Sequence, residues 1–239
     1  MSDMALNLER IEDRLRAACE RAGRDRAQVV LVAVSKRQPI EAVHEAKELG
    51  VAVFAENYAQ ALRDRMQAVP DAAWDFVGHV QSNKAKYLVP GVRLIHSVST
   101  ASAARALSNR AEREETMAAV LVEIDTARTA GAGEGTSART GASEGQAEEL
   151  MGQVLALPGV DLRGLMALPP PAHDAEESRP HFQRIRQLRD RLEDRLEHEL
   201  PELSMGMSGD FEVAVEEGAT LVRIGTALFG DRPAPEGSQ

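Results

Sequence analysis

Short apolar runs recur along the chain and are separated by longer stretches of mixed polarity. The runs are rich in β-branched and other aliphatic residues, and they lie at 29–34, 51–55, 74–78, 93–98, 117–124, 162–168, 203–208 and 220–225. Runs of this length and composition are typical of buried β-strands. We therefore predict eight strands.

The stretches between these runs show the spacing of amphipathic helices. Examples lie at 39–50, 101–115, 181–200 and 210–218. A further stretch, with Leu8, Ile11 and Leu15 on one face, precedes the first strand. Alternating strands and helices imply parallel pairing with right-handed crossovers. The pattern predicts an α/β fold, a (β/α)8 TIM barrel with an extra N-terminal helix, as a single domain over 1–230; a doubly wound open sheet is the alternative.

Two segments depart from this alternation. Residues 126–146 follow the fifth strand and are rich in glycine, serine, threonine and alanine. The segment lacks the Gly-Lys-Ser/Thr of a phosphate loop, and its glycines do not have dinucleotide-binding spacing. We predict a flexible loop over 126–146 and a disordered tail over 231–239.

Composition narrows the range of functions. The chain has 239 residues, 43% of them hydrophobic and 28% charged, with a formal net charge of −10. Such an acidic balance argues against a nucleic-acid partner, which requires a basic surface. The single cysteine, Cys19, excludes an internal disulfide and suits a reducing compartment. We find no targeting peptide and no apolar run long enough to span a membrane, and we expect a cytoplasmic protein with no membrane contact.

The residues that follow the predicted strands suggest a chemistry. In barrels of this class, functional groups gather at the C-terminal ends of the strands, and phosphate groups commonly bind at the loops after strands seven and eight. Lys36 follows the first strand, Ser208 the seventh, and Gly225 and Thr226 the eighth. An amine facing a phosphate-binding loop suits a phosphorylated aldehyde, and pyridoxal phosphate is such a molecule. The ordinary alternatives are a solvated Lys36, a turn glycine and a salt-bridged Arg223 at the rim.

Several motifs make a family resemblance visible. They are LVAVSK, FAENYAQ, DFVGHVQSNKAKYL, IHSV, RGLMALP and LSMGMSGDFEVAVEEGATLVRIGTALFG. Together they strongly resemble the pyridoxal phosphate homeostasis protein family, over about residues 5–230. The resemblance implies the barrel of the alanine racemase N-terminal domain and a bound pyridoxal phosphate.

The resemblance also implies a role for individual residues. Lys36 would form the internal aldimine, and Asn57 and His79 would flank the cofactor ring. Arg223 would face the pyridine nitrogen, and Met207 would line the pocket. The residues that would hold the phosphate are Ser208, Gly225 and Thr226. One local departure is Arg139-Thr140-Gly141, where the family usually has Lys-Ser-Gly, so the role of that loop is left open.

Three functions compete: a cofactor carrier without turnover, a pyridoxal-phosphate-dependent racemase or related amino-acid enzyme, and an aldolase-like enzyme that uses Lys36 alone. The phosphate-binding loops disfavour the third. A two-base racemase requires a second base opposite the lysine, and the resembling racemases take it from an additional C-terminal domain. This sequence ends soon after the eighth strand, and its only tyrosines are Tyr58 and Tyr87. We therefore expect a monomeric carrier with no catalytic residue and no metal site, with pyridoxal-phosphate-dependent apo-enzymes as possible transient partners.

Overall fold

Eight parallel strands close into a barrel in the order of the sequence. The structure is a computed structural model, and it describes residues 2–126 and 141–230. The strands are β1 (Val30–Val34), β2 (Val53–Glu56), β3 (Ala73–Phe76), β4 (Leu94–Val98), β5 (Ala118–Asp125), β6 (Val160–Leu168), β7 (Glu202–Met207) and β8 (Leu221–Ile224). Strand β8 pairs with β1, which closes the barrel and excludes the open sheet. The predicted (β/α)8 barrel is confirmed.

Helices surround the barrel. They are α1 (Asp3–Arg21), α2 (Ile40–Glu48), α3 (Ala59–Ala68), α4 (Ala101–Arg113), α5 (Glu144–Leu155), α6 (Arg179–Leu196), α7 (Phe211–Glu216) and α8 (Thr226–Phe229). Helix α1 is the predicted extra helix, and Arg14 on it pairs with Glu212 of α7 at 2.6 Å and lies over the Phe211 ring. None of the helices described here combines the length and apolar character that a membrane crossing requires.

The strands bury both of their faces, which explains the continuous apolar runs in the sequence. In β1, Leu31 and Ala33 join the layer between strands and helices, whereas Val32 packs inside the barrel. The same alternation places Leu94 and Leu221 inside the barrel. A side chain two residues further along either strand therefore also points inward.

The predicted loop over 126–146 needs a correction at its end. Its residues 127–140 lie outside the described residues, as does the predicted tail over 231–239. The N–H of Ala142 donates to the carbonyl of Glu123 at 2.8 Å, and helix α5 already begins at Glu144. The side chain of Gln146 accepts from the N–H of Ser143 at 3.2 Å, as in a capping box. This Ser-x-x-Gln start signal outweighs the local glycine content.

Candidate functional site

A cavity of about 280 Å³ opens at the C-terminal end of the barrel. Four apolar side chains form part of its wall, namely Val34, Val77, Met166 and Leu168. Seven of the eight residues predicted for the site also line it, namely Lys36, Asn57, Met207, Ser208, Arg223, Gly225 and Thr226. The barrel thus brings residues from both ends of the sequence to one pocket.

Lys36 reaches this cavity from a tight turn after β1. The N–H of Ser35 still donates to the carbonyl of Ala55 on β2 at 3.0 Å. The N–H of Gln38 then donates to the carbonyl of Ser35 at 3.0 Å, which closes the turn around Lys36 and Arg37. Arg37 has a φ of 61°, in the left-handed region that non-glycine residues rarely adopt. The chain therefore leaves the barrel wall abruptly, directly after the lysine.

A buried ion pair supports this turn, and the sequence analysis did not assign it. Glu56 ends β2 with 1% of its side chain exposed, and Nε of Arg65 on α3 lies 2.7 Å from its Oε1. The contact is ionic, because this oxygen has no aligned hydrogen bond within the described residues. The N–H of Asn57 donates to the other carboxylate oxygen at 3.2 Å. Arg65 also donates to the carbonyl of Gln38 in the lysine turn.

The charge of Glu56 depends on these neighbours. Burial raises the pKa of Glu56 above its ordinary value, while the positive charges of Arg65 and Lys36 act in the opposite direction. A buried carboxylate without such partners would take up a proton. Arg65 and Lys36 therefore favour the ionised carboxylate at this edge of the cavity.

Arg223 occupies the floor of the cavity on β8. It is 5% exposed and lies below the rim, so the alternative of a salt-bridged residue at the rim does not describe it. Its Nη1 donates to Oγ of Ser204 at 2.6 Å, and its Nη2 donates to the carbonyl of Ala167 at 2.9 Å. Burial lowers the pKa of Arg223 to about 10, against the opposing charges of Asp210 and Glu123. The guanidinium is therefore still charged at neutral pH and is held by neutral oxygens.

The loops after β7 and β8 meet at the part of the cavity rim beside the lysine turn, because β8 pairs with β1. The hydroxyl oxygen of Ser208 accepts from the N–H of Ala227 at 3.3 Å, which joins the two loops. Asp210 fixes the first loop, because its Oδ1 accepts from the N–H of Met207 at 2.7 Å and its Oδ2 accepts from the hydroxyl of Ser178 at 3.0 Å. The hydroxyls of Ser208 and Thr226 therefore border the same space.

His79 is the one predicted residue that the structure separates from this cavity. Its side chain is exposed and lines a neighbouring cavity of about 300 Å³, together with Tyr58 and Lys84. Asn57 lines both cavities. A third cavity, of about 390 Å³, shares Met207 with the first and is lined by three carboxylates, Glu123, Asp125 and Asp210.

Comparisons with known proteins agree with the fold and with the motifs. Residues 6–233 match the family model described as alanine racemase, N-terminal domain. A Pyridoxal phosphate homeostasis protein of Aquifex aeolicus is 40% identical over 94% of this chain and 96% of its own length. The protein of the same name in Pseudomonas aeruginosa is 38% identical over 97% of each chain.

Solved structures give the same result. PipY of Synechococcus elongatus, determined with PLP bound, is 32% identical and aligns with a TM-score of 0.77 over 92% of this chain and 100% of its own. Alanine racemase of Clostridium difficile shares the fold, with a TM-score of 0.71 and 15% identity, over 94% of this chain and 61% of the racemase chain. The chain therefore belongs to the alanine racemase N-terminal domain family and, within it, to the pyridoxal phosphate homeostasis proteins.

Proposed function

We propose that this protein binds pyridoxal 5′-phosphate reversibly, as a Schiff base on Lys36, and takes part in intracellular homeostasis of that cofactor. One observation carries the proposal: Lys36 and the buried guanidinium of Arg223 line the same cavity, with the hydroxyls of Ser208 and Thr226 beside them. The names of the relatives and the PLP bound to PipY support it. The cofactor would supply an aldehyde that amines can attack and a ring that withdraws electrons.

The residues present fit this cofactor. The side-chain oxygen of Asn57 is buried and has no hydrogen-bond partner within the described residues. Buried polar groups normally have a hydrogen-bond partner, so a donor group of the ligand that reaches this oxygen would supply the missing hydrogen bond. The apolar walls formed by Val34, Val77 and Met166 suit the faces of an aromatic ring.

Each end of the cofactor has a matching group. The neutral amine of Lys36 would attack the aldehyde carbon, and the oxygen of the aldehyde would leave as water. Arg223 has only donors, so it would donate to the pyridine nitrogen and leave that nitrogen unprotonated. The hydroxyls of Ser208 and Thr226 and the backbone at Gly225 would hold the phosphate. Met207 would cover the ring, and we keep Asn57 and His79 as its predicted flanking residues.

The cavity favours a carrier over the alternative, a racemase. Among the described residues that line it, Lys36 and Arg223 are the only ones with ionisable side chains, and a guanidinium does not give up its proton. Tyr58 is 55% exposed and lines the neighbouring cavity, whereas Tyr87 lies among the cations of Arg63, Lys84 and Lys86. Reprotonation from the second face would therefore lack a donor. We propose a cytoplasmic monomer that passes the cofactor to apo-enzymes and has no turnover of its own.

Reductive trapping tests the attachment. We expect purified protein incubated with pyridoxal phosphate to absorb in the visible range and to retain a phosphopyridoxyl group on Lys36 after borohydride treatment. Lys36→Ala should lose the visible band and the label while keeping its melting temperature, because a lysine at the barrel mouth contributes little to the core. Lys86→Ala, outside the cavity, is the matched control and should be labelled like the wild type. A label found only on a lysine other than Lys36 would refute the assignment.

Amino-acid turnover separates the carrier from the racemase. In deuterated water, alanine and serine should exchange their α-protons slowly or not at all, with retained configuration. Lys36 could act as a base on one face only. Interconversion of enantiomers at about 1 per second or faster, within the range of ordinary enzymes, would support the racemase instead.

A further inference from the structure

A row of polar side chains crosses the inside of the barrel and ends at the cofactor cavity. This polar row consists of Arg93, Asp75, His96, Ser204 and Arg223. The strand alternation explains its position, because each of the last four residues directly follows a side chain of the outer layer, namely Trp74, Ile95, Leu203 or Val222. Asp75, His96 and Ser204 are fully buried, whereas the side chain of Arg93 is 34% exposed.

Short contacts join all five members. Arg93 binds Asp75 through two hydrogen bonds, Nε to Oδ1 at 2.8 Å and Nη2 to Oδ2 at 2.5 Å. Nε2 of His96 lies 3.0 Å from Oδ2 of Asp75, and Nδ1 lies 2.8 Å from Oγ of Ser204. Nη1 of Arg223 lies 2.6 Å from the same Oγ. The row is therefore continuous from the solvent near Arg93 to the guanidinium in the cavity.

The chemistry of the members fixes the direction of every hydrogen bond. A guanidinium can only donate, so Oγ of Ser204 accepts from Arg223. A carboxylate can only accept, so Nε2 of His96 carries a proton and donates it to Asp75. Burial lowers the pKa of His96 and favours the neutral ring, and a neutral ring with its proton on Nε2 accepts at Nδ1. The hydroxyl of Ser204 therefore donates its proton to Nδ1.

We infer that Asp75, His96 and Ser204 are positioning residues for Arg223. Asp75 selects the tautomer of His96, and His96 orients the hydroxyl of Ser204. That hydroxyl and the carbonyl of Ala167 together hold the guanidinium of Arg223 in one orientation. This inference rests on the proposed function, because the orientation matters for a ligand whose ring nitrogen meets Arg223. A fully satisfied buried network of this kind is rigid.

The first test needs no cofactor. In protein labelled with ¹⁵N-histidine, long-range proton–nitrogen spectra report which ring nitrogen carries the proton, and the signal of His96 among the six histidines is identified by its loss in His96→Gln. We expect a neutral ring protonated at Nε2. A proton on Nδ1, or on both nitrogens, would overturn the inference, because Ser204 could then no longer donate to His96.

The second test measures the effect on the ligand. Ser204→Ala should weaken the binding of pyridoxal phosphate about tenfold, the loss of roughly one hydrogen bond to a charged group. It should leave the binding of the analogue with carbon in place of the ring nitrogen nearly unchanged. The matched control is Ser108→Ala, another buried serine, whose hydroxyl donates to the carbonyl of Pro158 at 2.6 Å, outside the polar row. Ser204→Thr keeps the hydroxyl and should restore binding.

The outcomes distinguish the two proposals. Equal weakening of both ligands by Ser204→Ala, or no weakening of either, would refute the positioning role while leaving the proposed function intact. Failure of the wild-type protein to bind pyridoxal phosphate would refute the proposed function and the role of Arg223 with it. If Ser204→Ala does not fold, the tautomer of His96 in the wild-type protein still tests the inferred directions of the hydrogen bonds in the polar row.

Discussion

The two sides of the cavity are held in different ways. On the lysine side, the turn that presents Lys36 is tied to α3 by the charged pair of Glu56 and Arg65. On the neighbouring phosphate side, the loops after β7 and β8 meet through a hydrogen bond from the N–H of Ala227 to the hydroxyl of Ser208. Removing one partner of a buried ion pair leaves a charge in the protein, whereas removing a hydroxyl leaves at most an unpaired neutral group.

This difference suits the two tasks proposed for the sides. A lysine that forms and releases a covalent bond needs a fixed position whether or not the bond exists, and a charged pair supplies that from outside the cavity. A phosphate brings its own charge, so its side needs donors more than further ions. The comparison therefore predicts that damage to the lysine side affects folding, and that damage to the phosphate side affects mainly binding.

Breaking the ion pair should have the largest effect. Arg65→Met leaves Glu56 buried without its guanidinium, and we expect the free energy of unfolding to fall by about 3–5 kcal/mol at neutral pH. The control is Arg63→Met, two positions away on the same helix, whose pair with Asp64 is largely exposed and should contribute less than about 1 kcal/mol. Denaturant unfolding of both variants gives the comparison. Equal losses would mean that the buried pair has no special role.

The pH dependence of Arg65→Met sharpens this result. The pKa of Glu56 is already raised, so the folded state binds a proton more tightly than the unfolded state at this site. Stability from this group is therefore lost as the pH rises from its ordinary pKa through the raised one, and it returns as the pH falls. The deficit of Arg65→Met should shrink at acidic pH, and Arg65→Met combined with Glu56→Gln should be more stable than Arg65→Met alone. A deficit that is independent of pH would contradict this account.

The barrel itself could be predicted from the sequence, because each strand is a continuous apolar run. The ion pair and the polar row could not. Glu56 and Arg65 belong to a strand end and the following helix, and no local pattern links them. Asp75 and His96 are ionisable residues within largely apolar runs, and Ser204, the partner of His96, lies more than 100 positions further along the chain. Such contacts exist only once the barrel has closed.

The residues of the site also divide into those whose position the sequence could predict and those whose position it could not. Lys36, Ser208 and Thr226 follow strands, so the general geometry of a barrel was enough to bring them together. The burial of Arg223 could not be predicted from the sequence, because a charged residue near a strand end is usually solvated. His79 was assigned to the ring by resemblance alone, and its exposed side chain lines the neighbouring cavity.

Removing hydroxyls on the phosphate side should have an intermediate effect. Ser208→Ala and Thr226→Ala should each weaken pyridoxal phosphate binding by about 1.5–3 kcal/mol, the range for hydrogen bonds to a charged group. Pyridoxal lacks the phosphate, so its binding should change little. Titration of both ligands, followed by the visible band, measures the difference. Comparable weakening of both ligands would place the phosphate elsewhere.

The smallest effect concerns the backbone beside the lysine. Arg37 holds a φ of 61°, a conformation that costs a non-glycine residue roughly 1–2 kcal/mol, whereas glycine adopts it freely but loses more entropy on folding, roughly 0.5–1 kcal/mol. Arg37→Gly should therefore be more stable than Arg37→Ala by about 1 kcal/mol, as measured by thermal unfolding. Both variants lack the arginine side chain, so the comparison reports the backbone conformation alone.

Glu197, at the end of α6, has a φ of 49° and provides a control outside the cavity. Glu197→Gly should show the same advantage over Glu197→Ala in stability, without any change in pyridoxal phosphate binding. Arg37→Gly should loosen the turn that presents Lys36 and weaken that binding by less than about threefold, because the Gln38 N–H to Ser35 carbonyl bond and Arg65 still hold the turn. A loss as large as that of Lys36→Ala would show that the turn depends on its backbone conformation more than on the ion pair beneath it.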